Sequence, residues 1–69
     1  MDYFDIIVEG NNYLIKPSLE NERLYFVTEI NSIEVVFKAT ENGLKAIDDT
    51  SVDRNLLEKI ASEIEAHLM

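Results

Sequence analysis

The hydrophobic period changes once along the chain, and that change limits the possible folds more than any other feature. Up to residue 47, apolar side chains recur at every second position in short runs divided by turn-forming residues. From Val52 onward they recur at every fourth, through Leu56, Ile60, Ile64 and Leu68, with Leu57 and Ala61 widening the stripe. A period of two sends alternate side chains to opposite faces of a strand, whereas a spacing of four keeps them on one side of a helix. Short turns between successive runs make the strands antiparallel. The sequence therefore predicts an α+β fold: an antiparallel β-meander of four to five strands with one C-terminal amphipathic helix packed on one face.

Within the first part, Phe4, Ile6 and Val8 share one side of a strand and Tyr3, Asp5, Ile7 and Glu9 the other. Gly10-Asn11 offers a two-residue hairpin turn that sets Asp5 opposite Lys16 and Ile7 opposite Leu14, with Asn11-Asn12 as the competing turn. In either register Tyr13 and Ile15 join the face of Phe4. Pro17 has no N–H to give to a ladder and is expected to end the second strand, leaving Ser18 to Glu22 as a loop. Arg23 to Ile30 and Ile33 to Thr40 form a central hairpin about Asn31-Ser32, with Ile30 against Ile33, Thr28 against Val35 and Phe26 against Phe37. Asn42-Gly43 signals a type I′ turn into a short fifth strand, Leu44 to Ile47.

Ser51 is the expected N-cap of the helix, and Asp53 suits the positive end of its dipole. The helix should lie across Phe4, Ile6, Val8, Phe26, Val35 and Phe37. A helix about 10 Å wide covers only one side of a sheet. Tyr3, Ile7, Leu14, Tyr25, Val27 and Val36, with Ile47 if the fifth strand forms, then fall on the side left bare. Two readings stand for that face: the ordinary preference of Tyr, Val and Ile for strands, or an association surface, since contiguous apolar patches carrying Tyr mark interfaces.

A chain of 69 residues has core enough for a single domain, 1-69. With no Cys, it has neither disulfides nor a thiolate zinc site to supplement packing. Fourteen acids against six basic residues, a net charge of -8, repel nucleic-acid phosphates and anionic lipid. No direct nucleic-acid binding and no membrane association are expected. At 46% hydrophobic and 29% charged, the composition is that of a folded protein. No stretch near Met1 resembles a signal peptide and none approaches the ~20 apolar residues of a membrane span, so a soluble, cytoplasmic protein is expected.

Chemistry-bearing motifs are few. Asp48, Asp49 and Asp53 gather around Thr50 and Ser51, but an EF-hand counted from Asp49 would need Glu where Ile60 stands. Acids in a turn before a helix N-terminus account for the cluster. His67, the only His, falls in the last helical turn, where an imidazolium suits the dipole. Ser18, Ser32, Ser51 and Ser62 have no nucleophile-elbow setting, and Gly10 and Gly43 read as turn glycines rather than a phosphate loop. No catalytic residue, cofactor or metal is expected, and the chain does not read as an enzyme.

The opening Tyr3-Phe4-Asp5-Ile6, the Asn-rich first turn and the closing Ile60-Ala61-Ser62-Glu63-Ile64-Glu65-Ala66-His67 resemble a family of very short, uncharacterised bacterial proteins built as a strand meander plus a helix. The resemblance spans most of the chain. It implies that architecture and no activity, so no functional residue is carried over. The leading expectation is a non-enzymatic protein interaction domain, forming a homodimer or binding another protein through Tyr3, Ile7, Leu14, Tyr25, Val27 and Val36. The alternative is an acidic decoy that occupies a nucleic-acid-binding groove on a partner protein.

Overall fold

A computed structural model of the chain describes residues 2–47 and 52–68. Five strands, β1 (Phe4–Val8), β2 (Asn11–Glu20), β3 (Arg23–Ile30), β4 (Ile33–Thr40) and β5 (Gly43–Ala46), precede one helix, α1 (Arg54–Leu68). The strands pair in chain order, each antiparallel to the next. This is the expected meander, and the fifth strand is present.

Turn geometry fixes the registers. Glu9-Gly10 (φ 51° and 80°), Asn21-Glu22 (50° and 65°) and Asn31-Ser32 (52° and 66°) each hold two consecutive residues in the left-handed region. That is the type I′ form, whose twist matches the strands it joins. Asn31-Ser32 closes the central hairpin in the expected register, Phe26 opposite Phe37 and Thr28 opposite Val35. The first turn falls one residue before Gly10-Asn11 and two before Asn11-Asn12. Asp5 therefore faces Leu14, and Ile7 faces Asn12. Other partners compensate the new register: the Asn12 side-chain amide donates to Asp5 at 3.1 Å, and the Lys16 ammonium lies 5.9 Å from the centre of the Tyr3 ring. The last turn is also one residue early. Of its residues only Gly43 has a positive φ, 103°, so Glu41-Asn42 is an ordinary turn followed by a left-handed glycine. The Thr40 hydroxyl donates to the Gly43 carbonyl at 2.6 Å and accepts from the Asn42 N–H at 3.2 Å. β5 thus starts at Gly43, and pairing continues past Ala46, the Ile47 N–H donating to the Val36 carbonyl at 2.9 Å.

Pro17 does not end β2, which runs on to Glu20 and replaces the expected loop with a tight Asn21-Glu22 turn. The parity of the ladder explains the tolerance. Glu20 and Arg23 flank a two-residue turn and exchange backbone hydrogen bonds, so alternate pairs leave Pro17↔Phe26 non-hydrogen-bonded. The Pro17 nitrogen then points away from β3, towards a β1 ladder that reaches only Phe4↔Ile15. No ladder donor is lost.

β2 also bends: Asn11 to Ile15 pair with β1, whereas Lys16 to Glu20 pair with β3. The sheet curls into a half-barrel, and α1 lies against both edge strands, β1 and β5, instead of across the middle of one face. The inner face closes around Ile6, Val8, Ile15, Phe26, Ile30, Val35, Phe37 and Leu44, with Ile60, Ala61 and Ile64 from the helix. Leu68, at the end of the expected stripe, is exposed. Side chains tie the helix to both edges. The Leu44 N–H donates to the Glu65 carboxylate at 2.7 Å, Lys59 forms an ion pair with Glu9, and the His67 ring stacks on Phe4 with centroids 4.0 Å apart. At the N-terminus the Leu57 N–H donates to the Asp53 carbonyl at 3.1 Å, making Asp53 the cap residue. Ser51, the expected cap, lies outside the described residues.

Candidate functional site

Because the helix fills the gap between β1 and β5, the outer face of the sheet carries no covering element of this chain among the described residues. Ladder parity places all six expected face residues there. Tyr3 and Ile7 are 62% and 68% exposed and Leu14 is exposed, while Tyr25, Val27 and Val36 are half-buried. They do not form one flat plane, since the bend in β2 separates the β1–β2 group from the β3–β4 group. Lys16 joins the two: its ammonium approaches the Tyr3 ring, and its backbone pairs with Val27, which pairs with Val36. Ile47, bonded to the Val36 carbonyl, extends the row. Around Tyr25, Val27, Val36 and Ile47 the outer face holds a shallow hollow of about 280 Å³, with Ser18, Glu20 and Glu34 at its rim.

The register also sorts the charges. Lys16, Arg23, Lys38 and Lys45 point outward, and so do Asp5, Glu20, Glu29 and Glu34. Four acids balance four basic residues, so the outer face is neutral. Among the described residues eight more acids and two basic residues, Arg54 and Lys59, lie off this face, on a chain of net charge -8. Periodicity singled out the apolar residues of this face. The balance appears only once each charge is assigned a side, and Glu9, expected on the face, belongs instead to the first turn.

Elsewhere the chemistry is thin. Among the described residues no three His, Asp or Glu side chains come together as a metal site; Asp48, Asp49, Thr50 and Ser51 lie outside the described residues. Between β5 and α1 runs a groove of about 780 Å³ that includes Leu44, Arg54, Glu58 and Glu65. Glu65 is already committed to the Leu44 N–H, and the groove passes Ile47 and Val52, which flank residues 48–51 in the chain. The described residues define no closed pocket there. No described helix is long and apolar enough to cross a membrane.

The neutral outer face is thus the feature that sets this domain apart from an acidic surface of uniform character. Comparison with family models, with curated proteins and with solved structures gives no match. The resemblance read from the sequence reaches as far as the architecture, a five-strand meander with a C-terminal helix.

Proposed function

We propose that the chain is a non-enzymatic protein interaction domain whose docking surface is the outer face of the sheet, centred on Tyr25, Val27 and Val36 and flanked by Tyr3, Ile7 and Leu14. One observation carries the reading: on a molecule of net charge -8, the described residues of this face combine a continuous apolar row with balanced charge. Association removes water from apolar area and is opposed by like charge. A neutral apolar face is where both terms favour contact. The acidic-decoy reading draws instead on the eight described acids and two basic residues off this face, among them Asp53, Glu58 and Glu63 on or beside the helix.

A photo-crosslinking residue separates the two when placed at Val27 in one variant and at Glu63, exposed on the helix, in another. Docking through the sheet gives adducts from position 27 that disappear when Val36→Glu is added, and none from position 63. The opposite pattern supports the decoy. Adducts from neither position in the native cell refute the proposed surface.

A further inference from the structure

We infer that the partner is a second copy of this chain, docked face to face about a two-fold axis lying along the row of Lys16, Val27, Val36 and Ile47; the inference rests on the docking surface proposed above. The charges next to that row on β3, β4 and β5 are divided by sign on either side of it, while Glu20 and Arg23 face each other two steps out on the basic side. One step towards the Asn31-Ser32 turn, Glu29 and Glu34 stand directly opposite each other. One step the other way, Lys38 and Lys45 do the same. Both are like-charge cross-strand pairs, unfavourable within a single molecule.

A two-fold rotation about the row reverses the strand direction and lays the acidic side of one copy on the basic side of the other. Val27 and Val36 lie on the axis and meet their own counterparts, as does Lys16 at the end of the row, a like-charge contact eased where its ammonium turns aside to the Tyr3 ring. Glu34, two residues before Val36, comes over Lys38 of the second copy, two residues after it, and symmetry repeats the contact. Glu29 comes over Tyr25 of the second copy in the same way, a carboxylate above a phenol that can donate to it. An isologous interface needs a surface complementary to itself, with residue i meeting j and j meeting i. A pattern that changes sign about its own centre has that property.

The area sets the strength. The bend in β2 turns the β1–β2 group away, so the end of β2 with β3, β4 and β5, four strands at ~4.8 Å and ~20 Å long, gives at most roughly 400 Å² per copy, or about 800 Å² for the pair. That is the small end of specific interfaces, and a dissociation constant on the order of 100 µM is expected. Each copy also carries a net charge of -8. Added salt screens that repulsion across the dimer more than it weakens the pairs at the contact, so raising salt from about 0.05 M to about 0.3 M should strengthen the dimer.

The test is a charge exchange read by sedimentation equilibrium and by native mass spectrometry with one variant labelled with 15N. Glu34→Lys makes both residues of the pair cationic and Lys38→Glu makes both anionic. Each variant alone should dimerise about tenfold more weakly than the parent, and an equimolar mixture should recover a mixed dimer of near-parental affinity. A parent chain that stays monomeric up to about 1 mM at either salt overturns the inference. A dimer broken by Val27→Glu but not rescued by mixing keeps the face as a docking surface and overturns the two-fold arrangement. A dimer indifferent to Val27→Glu overturns the face itself, and the proposed function with it. Where Val27→Glu unfolds the chain, Tyr25→Ala takes its place.

Discussion

Thr28 is the one polar residue among the buried ones described, 2% exposed, and its hydroxyl has no hydrogen-bond partner. It sits opposite Val35, between Phe26 and Ile30 on the inner face. Leaving a buried hydroxyl unpaired costs about 1–3 kcal/mol. Valine keeps the branched shape and exchanges the hydroxyl for a methyl, whose burial adds about 0.7 kcal/mol at ~25 cal/mol per Å². Taking the lower part of the desolvation range, Thr28→Val is expected to stabilise the domain by about 1–2 kcal/mol. With a urea slope of about 1 kcal/mol per M for so small a chain, the midpoint should rise by ~1–2 M at unchanged slope. Thr28→Ser is the control, since it keeps the hydroxyl, deletes the buried methyl and should cost about 1 kcal/mol. Urea unfolding followed by far-ultraviolet circular dichroism reads both variants. A Thr28→Val that loses stability refutes the reasoning, because the hydroxyl must then have a partner that it does not have in this packing.

Ile60→Ala removes a fully buried side chain where the helix meets the sheet and should cost about 2–5 kcal/mol; a loss below ~0.5 kcal/mol in the same assay would mean that the helix presents another face. Gly43→Ala places a Cβ 2.8 Å from the Glu65 carboxylate at a φ of 103°, so a loss of about 1–3 kcal/mol and faster hydrogen exchange at the Leu44 amide are expected together. Lys59→Ala should leave the urea midpoint close to the parent's, because Lys59 and Glu9 are both half exposed. The hydrogen bond and charge of Glu9 raise the Lys59 pKa above its ordinary 10.5, so any contribution is full below that value and fades as pH rises through the raised one. Parent and variant melts should differ by a constant amount up to about pH 10 and converge above it, so a difference that fades below that pH would contradict this. Fluorescence anisotropy with duplex DNA or RNA should show no binding, and salt-sensitive association at micromolar concentration would refute the repulsion expected from the net charge.

The sheet was legible wherever two local signals agreed. At Asn31-Ser32, turn propensity and the apolar pairing of both strands select one register, and β3 and β4 have the expected bounds. At the first and last turns the glycine was recognised but its position within the turn was not. Gly10 is the second turn residue, not the first, and Gly43 follows its turn instead of completing it. Each error moved a turn by one residue yet left the inner and outer sets unchanged, because shifting a two-residue turn by one position moves cross-strand partners by two and preserves parity. Pro17 misled for a different reason. Whether a proline ends a strand depends on which neighbour its nitrogen faces, and that depends on how far β1 extends beside it. The helix position was hidden as well, since curl accumulates from strand twist and from the bend in β2, neither of which has a period to detect.

This preservation of parity is why the outer face could be named from sequence even though three of the registers or strand ends around it were misplaced. Tyr25, Val27 and Val36 depend only on the Asn31-Ser32 turn, and Tyr3, Ile7 and Leu14 only on whether the first turn holds an even number of residues. The cross-strand contacts were harder to foresee. Lys16 reaches Tyr3 and pairs with Val27 because β2 stops pairing with β1 where it starts pairing with β3. Lys45 stands beside Lys38 because the left-handed glycine lets β5 begin at Gly43. Those two placements bring Lys38 and Lys45 to one side of the Val27–Val36 row and leave Glu29 and Glu34 on the other. A sheet face whose like charges are paired within the molecule is poorly satisfied on its own. In the dimer proposed above, Glu34 of each copy comes over Lys38 of the other, so one member of each like-charge pair gains an opposite charge.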